Sequence, residues 1–271
     1  MTTARTLTVE DARFGYGGRT VIDGLSLSVP PGRVSVIVGA NACGKSTLLR
    51  GMARLLAPER GAVLLDGKDI HRTPTRQVAR ALGLLPQSPV APEGIAVADL
   101  VARGRTPHHT LLSRWTSADD AAVARAMEAT GVLELADRSV DELSGGQRQR
   151  VWIATALAQE TELLLLDEPT TYLDVTHQVE VLDLLTDLNR DRGTTVVMVL
   201  HDLNLAARYA DHLVAVKNGA LYTTGSAAEV VTPQTVAHVF GLRAEVIEDP
   251  VSGAPLVLPL GRHHTGRASA G

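Results

Sequence analysis

The chain has 271 residues, 45% of them hydrophobic, with a formal net charge of -4 at pH 7 and a pI near 6.1. The length and composition fit a globular domain with its own core. The acidic balance argues against a broad basic surface for nucleic acid. The single cysteine, Cys43, excludes an internal disulfide and a multi-cysteine metal framework. The longest apolar runs, 163–166 and 196–200, are strand-sized, so we expect no membrane-spanning helix and a protein that stays in the cytosol.

The first part of the chain alternates short apolar segments with turn signals. Between residues 7 and 38 this pattern predicts several strands, and the last of them, Val34 to Val38, leads into a glycine-bearing loop. A helix is predicted directly after that loop, because apolar residues recur at helical spacing at Leu48, Leu49, Met52, Leu55 and Leu56. This order of strand, glycine loop and helix is what a phosphate-binding site requires.

The later parts of the chain differ in character. Residues 88–158 contain few strand-like runs and several helical ones, the clearest of which has Ser117 and Asp120 at capping-box spacing. Strand patterns return at 163–166 and 194–200, with a helical pattern between them. Alternating strands and helices predict a mainly parallel sheet. We therefore expect a helical insertion in an α/β fold.

The loop after Val38 fits the P-loop pattern of a glycine, four residues, and glycine-lysine-serine. Its residues, the candidate ATP-binding set, are Gly39, Ala40, Asn41, Ala42, Cys43, Gly44, Lys45 and Ser46, followed by Thr47. Backbone N–H groups converge on a phosphate in such a loop, and the following helix adds its positive end. We expect Lys45 to neutralise the β- and γ-phosphates and the Ser46 hydroxyl to hold Mg²⁺.

Two carboxylates, Asp167 and Glu168, follow the buried strand pattern at 163–166. Ligands of open parallel sheets bind at the carboxyl edge of the strands, where both would lie. Asp167 would bind Mg²⁺ through its coordination shell, and Glu168 would orient and deprotonate the attacking water. On their own, these residues are equally compatible with two solvated acids at a strand end.

Residues 143–147 read Leu-Ser-Gly-Gly-Gln, and this segment distinguishes the chain from most other phosphate-binding proteins. Ser144 is placed to cap the helix that follows, and Gly145 and Gly146 let the backbone approach a phosphate closely. The segment, which ends at Gln147, resembles the LSGGQ signature of the ATP-binding cassette (ABC) family. The resemblance covers nearly the whole chain, from Tyr16 to about Pro259.

Four further residues fall where this family has functional positions. Tyr16 resembles the aromatic residue that stacks on adenine, and Asp174 matches the D-loop residue that contacts the opposite subunit. Gln87 resembles the Q-loop glutamine, which we count among both the catalytic and the metal-binding residues. His201 resembles the catalytic switch histidine. Each of these matches is weak alone, and their common order gives them weight.

The resemblance implies a P-loop NTPase core with a mainly parallel sheet, an N-terminal antiparallel β subdomain and an inserted α-helical subdomain. In numbers, a single ABC domain spans 1–271: the core with its β subdomain is 1–87 and 159–240, and the helical subdomain is 88–158. A C-terminal extension follows at 241–271, and we expect its end, 262–271, to be mobile. The family also implies a head-to-tail pair of such chains that encloses ATP between P-loop and signature segment. Transmembrane permease subunits would dock beside Gln87, at the cytoplasmic face of the membrane.

A finer resemblance concerns the transported substrate. Residues 103–108, 113–115, 140–157 and 168–174 resemble ATPases of ferric-siderophore importers, which implies Mg²⁺-ATP hydrolysis that drives uptake of an iron chelate. Importers of cobalamin or haem are close alternatives. A soluble cassette ATPase that acts on DNA or ribosomes is disfavoured, because the chain has neither a long coiled-coil insertion nor a second cassette. A catalytically inactive regulator should lack Glu168 or His201, and a fused exporter should carry spanning helices.

Two departures from the common pattern concern the P-loop. Ala42 stands where glycine is frequent, and a left-handed backbone there would cost about 1 kcal/mol or more. Cys43 lies beside the phosphate site at a helix N-terminus, which leaves open either a reactive thiol or an inert packing residue. The pairs 108–109 and 263–264 are both His-His, and we interpret them as solvated loop residues rather than metal ligands.

Overall fold

The computed structural model describes residues 5–110 and 113–261. The strands are β1 (Leu7–Tyr16), β2 (Arg19–Val29), β3 (Val34–Val38), β4 (Arg60–Leu65), β5 (Lys68–Asp69), β6 (Leu82–Leu85), β7 (Leu163–Asp167), β8 (Thr195–Val199), β9 (His212–Lys217), β10 (Ala220–Gly225), β11 (Ala244–Glu248) and β12 (Pro255–Pro259). The α-helices are α1 (Lys45–Met52), α2 (Thr75–Ala81), α3 (Val97–Ala102), α4 (Ser117–Ala129), α5 (Gly145–Ala158), α6 (Val175–Arg192), α7 (Leu203–Tyr209), α8 (Ala227–Val230) and α9 (Pro233–Phe240). The expectation of a mobile end at 262–271 and the histidines at 263–264 lie outside the described residues.

The largest sheet has six strands in the order β10-β9-β3-β8-β7-β6. Its five strands from β9 to β6 are parallel, and β10 pairs antiparallel with β9. All five residues of β3, β7 and β8 are buried, as expected for strands covered on both faces. A second sheet, β2-β1-β4-β5, is antiparallel throughout. These observations confirm the predicted P-loop NTPase fold with its mainly parallel sheet and its antiparallel N-terminal sheet.

Helix α1 lies between the two sheets and is held close to the N-terminal one by Gly51. An ideal Cβ at Gly51 would lie 2.3 Å from Cζ of Phe14, which is fully buried on β1. Any side chain at this position would push α1 away from β1, so the glycine sets the distance between helix and sheet. The helix is shorter than the sequence suggests: it ends at Met52, Arg54 has a φ of 63°, and Leu55 is 62% exposed.

Between β6 and β7 the described residues form α3, α4, α5 and three short 3₁₀ segments, at Arg103–His108, Leu133–Leu135 and Val140–Glu142. They have a hydrophobic cluster of their own, which includes Leu100, Met127 and Val151. The capping box of α4 lies one residue earlier than predicted. Thr116 is the N-cap and Asp119 the N3 residue, because the Asp119 carboxylate accepts hydrogen bonds from both the Thr116 backbone and its hydroxyl.

A buried arginine joins the elements of this helical region. Arg105 donates to the Asp119 carboxylate at 3.0 Å, the Glu160 carboxylate at 3.0 Å and the carbonyl oxygen of Ala158 at 2.9 Å. The side chains of Arg105 and Asp119 are 9% and 6% exposed. The hydroxyl of Thr116, and then Arg105, hold the pKa of Asp119 well below its usual range. Arg105 therefore ties the start of α4 to the end of α5.

The histidine pair at 108–109 is partly buried and makes specific contacts, whereas we expected solvated loop residues. Nε2 of His108 lies 2.8 Å from the carbonyl oxygen of Gln159, and His109 lies 3.2 Å from Asp119 and stacks on Trp115 with ring centroids 5.4 Å apart. Both histidines join segments of the helical region. In the described part of the chain, no group of three potential metal-ligating side chains is found.

Removal of Arg105 should destabilise the fold strongly. We expect Arg105→Ala to lower the free energy of unfolding by about 3–5 kcal/mol, because it leaves the buried Asp119 carboxylate without its cation. Urea denaturation at neutral pH measures this change. The matched control is Arg125→Ala, at the exposed end of the same network, which should cost less than about 1 kcal/mol.

The same experiment has a pH dependence of known sign. Because the pKa of Asp119 is depressed in the folded chain, its contribution is complete above the ordinary value of 3.8 and is lost as the pH falls below it. Equal stabilities of the Arg105→Ala and Arg125→Ala variants at pH 7 would contradict the assigned role of Arg105.

Candidate nucleotide-binding and hydrolysis site

The loop between β3 and α1 is shaped by glycines at its two ends. At Gly39, with φ 156°, a Cβ would lie 2.3 Å from the carbonyl oxygen of Val216 and 2.7 Å from Sγ of Cys43. At Gly44, with φ 108°, it would lie 2.6 Å from Cδ1 of Ile22 on β2. The backbone of β9 lies close to one end of the loop and the N-terminal sheet lies close to the other, so only glycine fits at either end.

The lysine that begins α1 is buried, with an exposed fraction of 5%. Its Nζ donates to the carbonyl oxygens of Gly39 at 2.9 Å and Ala40 at 3.0 Å. Among the described acidic residues, none forms an ion pair with Lys45. Backbone carbonyl groups contact the ammonium directly, while the Asp167 carboxylate acts on it only from a greater distance, so the site favours binding of an anion at this point.

Ser46 and Asp167 face each other from α1 and the end of β7. The Ser46 hydroxyl donates to Oδ1 of Asp167 at 3.0 Å, and Asp167 is 2% exposed. Burial raises the pKa of Asp167, the Ser46 hydroxyl lowers it and the negative charge of Glu168 raises it further. A buried carboxylate beside a hydroxyl, with a raised pKa, fits a hard divalent cation such as Mg²⁺, which prefers oxygen ligands.

Glu168 is the centre of a hydrogen-bond cluster. Its Oε1 accepts from Nε2 of Gln87 at 2.8 Å and lies 2.6 Å from Nε2 of His201, while its Oε2 accepts from the Thr171 hydroxyl at 3.2 Å. The backbone of Glu168 has a φ of 57°, which directs the chain sharply away from β7. Asp167 and Glu168, although neighbours in sequence, therefore contact different residues: Asp167 contacts Ser46, whereas Glu168 contacts Gln87 and His201.

One open cleft brings together residues of the P-loop with Gln87, Glu168 and His201. Those that line it are Arg19, Thr20, Val21, Asn41, Ala42, Gly44, Lys45, Ser46, Thr47, Gln87, Glu168 and His201. Among the described residues, neither Tyr16 nor any residue of 144–147 lines it. Tyr16 lies at the end of β1, 44% exposed, at the turn that leads to Arg19. Arg19, Thr20 and Val21 were not predicted as site residues, and their only signal in the sequence is their position after the glycines at 17–18.

The signature segment lies on another surface, together with residues that precede α6. Ser144 accepts a hydrogen bond from the Gln147 backbone at 3.2 Å, and the Gln147 side chain accepts one from the Ser144 backbone at 3.0 Å, so the predicted cap is a full capping box. Cβ of Tyr172 lies 3.6 Å from an ideal Cβ at Gly145. Asp174, which caps α6, is exposed and pairs with His177 at 2.8 Å.

The two unusual P-loop residues adopt clear conformations. Ala42 has a φ of 59°, so its backbone is in the left-handed region and carries the strain expected for a residue with a Cβ. Cys43 is a buried free thiol that packs beside Gly39 and forms part of the hydrophobic core. Its burial favours the packing role.

No helix within 5–110 or 113–261 has the length and apolar character needed to cross a membrane.

Comparison with known proteins shows what kind of molecule has this site. The family model for ABC transporters matches residues 22–171. The chain is 52% identical to the ferric enterobactin transport ATP-binding protein FepC of Escherichia coli, over 93% of this chain and 93% of that protein.

Further relatives extend the same comparison. Identity is 47% to the iron(3+)-hydroxamate import ATP-binding protein FhuC of Bacillus subtilis, over 93% of this chain and 94% of that protein. It is 42% to the cobalamin import ATP-binding protein BtuD of Halobacterium salinarum, over 94% of this chain and 64% of that protein.

Among solved structures, an inward-facing ABC transporter described as of metal-chelate type matches with a TM-score of 0.80 and 29% identity. The match covers 96% of this chain and 98% of that one. Family model, relatives and structure agree on the same assignment, which the cleft geometry supports independently: the chain belongs to the ABC transporter family, as an ATP-binding subunit.

Proposed function

We propose that this chain is the ATP-hydrolysing subunit of an importer that takes up an iron chelate, such as a ferric siderophore, through a separate permease at the cytoplasmic face of the membrane. The observation that carries the proposal is the cluster at Glu168, which lies within 2.8 Å of Gln87 and 2.6 Å of His201 in the cleft that also holds Lys45. This arrangement suits activation of a water molecule beside a bound phosphate.

The P-loop residues bind the phosphates in this proposal. Backbone N–H groups of 39–47 and the start of α1 surround them, and the Nζ of Lys45 turns from the loop carbonyls to the β- and γ-phosphates. Ser46, Asp167 and the amide oxygen of Gln87 would hold Mg²⁺, whose charge stabilises the phosphate oxygens when it is bound.

Glu168 acts as the general base. It accepts a proton from the attacking water, and the hydroxyl of Thr171 and the amide of Gln87 fix its carboxylate from two sides. Nε2 of His201 contacts Oε1 of the same carboxylate and orients it toward the γ-phosphate. Groups held in this way need little reorganisation during the reaction, which is the main source of electrostatic catalysis.

A second copy of the chain completes the site. Ser144, Gly145, Gly146 and Gln147 form a capped helix start on a surface separate from the cleft, and we propose that they bind the γ-phosphate of ATP held by the other copy. Asp174 lies beside them and contacts the partner. Tyr16 stacks on adenine at the rim of the cleft, beside Arg19.

We propose the division into a core at 1–87 and 159–240, a helical subdomain at 88–158 and a C-terminal extension at 241–271. A largely apolar groove, lined by Pro86, Val90, Pro107, Trp152 and others, runs between the core and the helical region. The permease docks in this groove, next to Gln87. Movement of Gln87 with the nucleotide then reaches the membrane subunits.

Identity to relatives supports the iron-chelate assignment. The chain is 52% identical to a ferric enterobactin ATPase and 47% identical to an iron(3+)-hydroxamate ATPase, compared with 42% for a cobalamin ATPase. The cobalamin importer is therefore the second candidate.

Replacement of the general base should separate binding from turnover. We expect Glu168→Gln to keep ATP binding and to lower the hydrolysis rate at least about 100-fold, because the amide cannot accept the proton. Steady-state hydrolysis and size-exclusion chromatography with Mg²⁺-ATP measure turnover and a trapped dimer. The control Glu180→Gln, on the exposed face of α6, should behave as the wild type. A strictly monomeric Glu168→Gln protein at saturating ATP would contradict the shared site.

Loss of the P-loop lysine should weaken ATP binding. We expect Lys45→Ala to raise the Kd for ATP about tenfold to a hundredfold, the equivalent of one or more charge-assisted hydrogen bonds. Fluorescent-nucleotide displacement measures the Kd. Lys68→Ala, an exposed lysine on β5, is the matched control and should leave the Kd unchanged. Equal affinities of the two variants would refute the phosphate role of Lys45.

The transported substrate can be tested in cells. Deletion of the coding sequence should abolish uptake of a labelled ferric siderophore, and the wild-type chain but not Glu168→Gln should restore it. Uptake of cobalamin should be unaffected. Loss of cobalamin uptake with normal iron-chelate uptake would favour the second candidate function.

A further inference from the structure

The last two strands, β11 and β12, form an antiparallel hairpin at 244–259, which we call the C-terminal hairpin. It lies outside the region matched by the family model, and none of its residues lines the nucleotide cleft. Its inner face is apolar: Val257 is 5% exposed and joins the core cluster that also contains Ala206 and Ala207 of α7. The hairpin therefore packs against the helix that directly follows His201.

Asn204 in the first turn of α7 joins this helix to β12. Its side-chain Oδ1 accepts a hydrogen bond from the Val257 backbone N–H at 2.7 Å, and its Nδ2 donates to the Val257 carbonyl oxygen at 3.3 Å. The amide of Asn204 thus pairs with both backbone groups of one residue, as a neighbouring strand would. Loss of this side chain leaves both groups of Val257 without their partner.

Arg208 lies one helical turn later, on the same face of α7 as Asn204. It forms an ion pair with Asp249 at 2.6 Å. Asp249, at the start of the hairpin turn, is 8% exposed and also accepts hydrogen bonds from the Val251 backbone and the Ser252 hydroxyl. The hydroxyl of Ser252, followed by the Val251 backbone and Arg208, holds the pKa of Asp249 well below its usual range. The carboxylate is therefore ionised at neutral pH.

Helix α7 depends on such contacts for its position. It has only seven residues, too few for a stable helix without tertiary support. His201 lies between the end of β8 at Val199 and the cap of α7 at Asp202, so its backbone is held by the sheet on one side and by α7 on the other. The ring makes a 2.6 Å contact with Glu168 while 48% of the His201 side chain remains exposed, which leaves few other contacts to orient it.

We infer that the C-terminal hairpin holds His201 in register with Glu168 through α7, and that Asn204 and Arg208 are positioning residues for ATP hydrolysis. The inference rests on the role of His201 in the proposed function. A displacement of about 1 Å in a catalytic contact is sufficient to slow a reaction severely. The hairpin acts mainly on the orientation of the histidine, because the phosphate loop lies between β3 and α1 and no residue of the hairpin lines the cleft.

The test is hydrolysis by the complete transporter with Asn204→Ala or Arg208→Ala in this chain. We expect kcat to fall about five- to tenfold in each variant, while the KM for ATP and the Kd of the isolated chain for ATP stay within about twofold of the wild type. Arg208→Lys should restore part of the loss because it keeps the charge. The matched control is Tyr209→Phe, which removes a hydrogen bond from α7 to Asp183 of α6 and leaves the hairpin contacts intact.

Single-turnover hydrolysis in a His201→Ala background distinguishes positioning from general destabilisation. If Asn204 acts through His201, Asn204→Ala adds no further loss in that background; an additive loss overturns the inference. Where Asn204→Ala lowers the melting temperature too far, Asn204→Asp replaces it: it keeps the acceptor for Val257 and loses the donor, and should show an intermediate kcat.

Two outcomes distinguish the role of the hairpin from the role of His201. Wild-type kcat in both Asn204→Ala and Arg208→Ala, with a strongly impaired His201→Ala variant, overturns the hairpin inference alone. Wild-type kcat in His201→Ala contradicts the role of that histidine in the proposed function, and the inference falls with it.

Discussion

The hydrogen-bonded register of three buried parallel strands fixes the separation between the phosphate-binding loop and the carboxylates. Ile37 on β3 pairs with Val199 on β8, and Val199 pairs in turn with Asp167 on β7. Neighbouring strands lie about 4.8 Å apart, so the strand that feeds the P-loop and the strand that ends in Asp167 are about 10 Å apart. A slip of one residue in either pairing would turn Asp167 to the opposite face of the sheet. The sheet sets the distance between the P-loop and the carboxylates, and the loops only adjust the side-chain positions.

The cleft holds a buried cation at one position and two buried carboxylates at another, which suits a ligand that carries both an anion and a cation. Lys45 is buried among carbonyl oxygens, whereas Asp167 and Glu168 are buried beside each other. Among the described residues, Lys45 has no carboxylate at contact distance, and the negative charge of Glu168 disfavours ionisation of Asp167, so both arrangements are less favourable without a ligand. In the proposed function, a nucleoside triphosphate with Mg²⁺ would bring an anion to Lys45 and a cation to Asp167. The charged groups that would bind the ligand are therefore already in position in the folded chain.

The sequence predicted the parts of the site that depend on local chemistry. The strand, glycine loop and helix around Lys45, and the cap formed by Ser144, require only residues close in sequence, and both appear where expected. Helix α1 is shorter than its apolar spacing suggested, because Leu55 and Leu56 lie beyond a left-handed residue, Arg54, in a turn. Periodicity alone cannot detect such a backbone reversal.

Tertiary contacts explain the remaining differences. The cap of α4 moves from Ser117 to Thr116 because Asp119 is also the partner of Arg105, which is 14 residues away in sequence. Asn204 and Val257 are 53 residues apart, and no local pattern marks them as partners. His108 is partly buried rather than fully solvated for the same reason, since its partner is the carbonyl group of Gln159.

Helix α5 has both of its ends held, and this gives it a mechanical property. Its 14 residues, Gly145 to Ala158, span about 20 Å at 1.5 Å per residue. The Ser144 capping box closes one end, and Arg105 grips the carbonyl group of Ala158 at the other. A helix clamped in this manner resists fraying and bending. Helix α5 therefore behaves as a rigid element, and a displacement of its end at Arg105, near the groove, is carried to Ser144 at the other end.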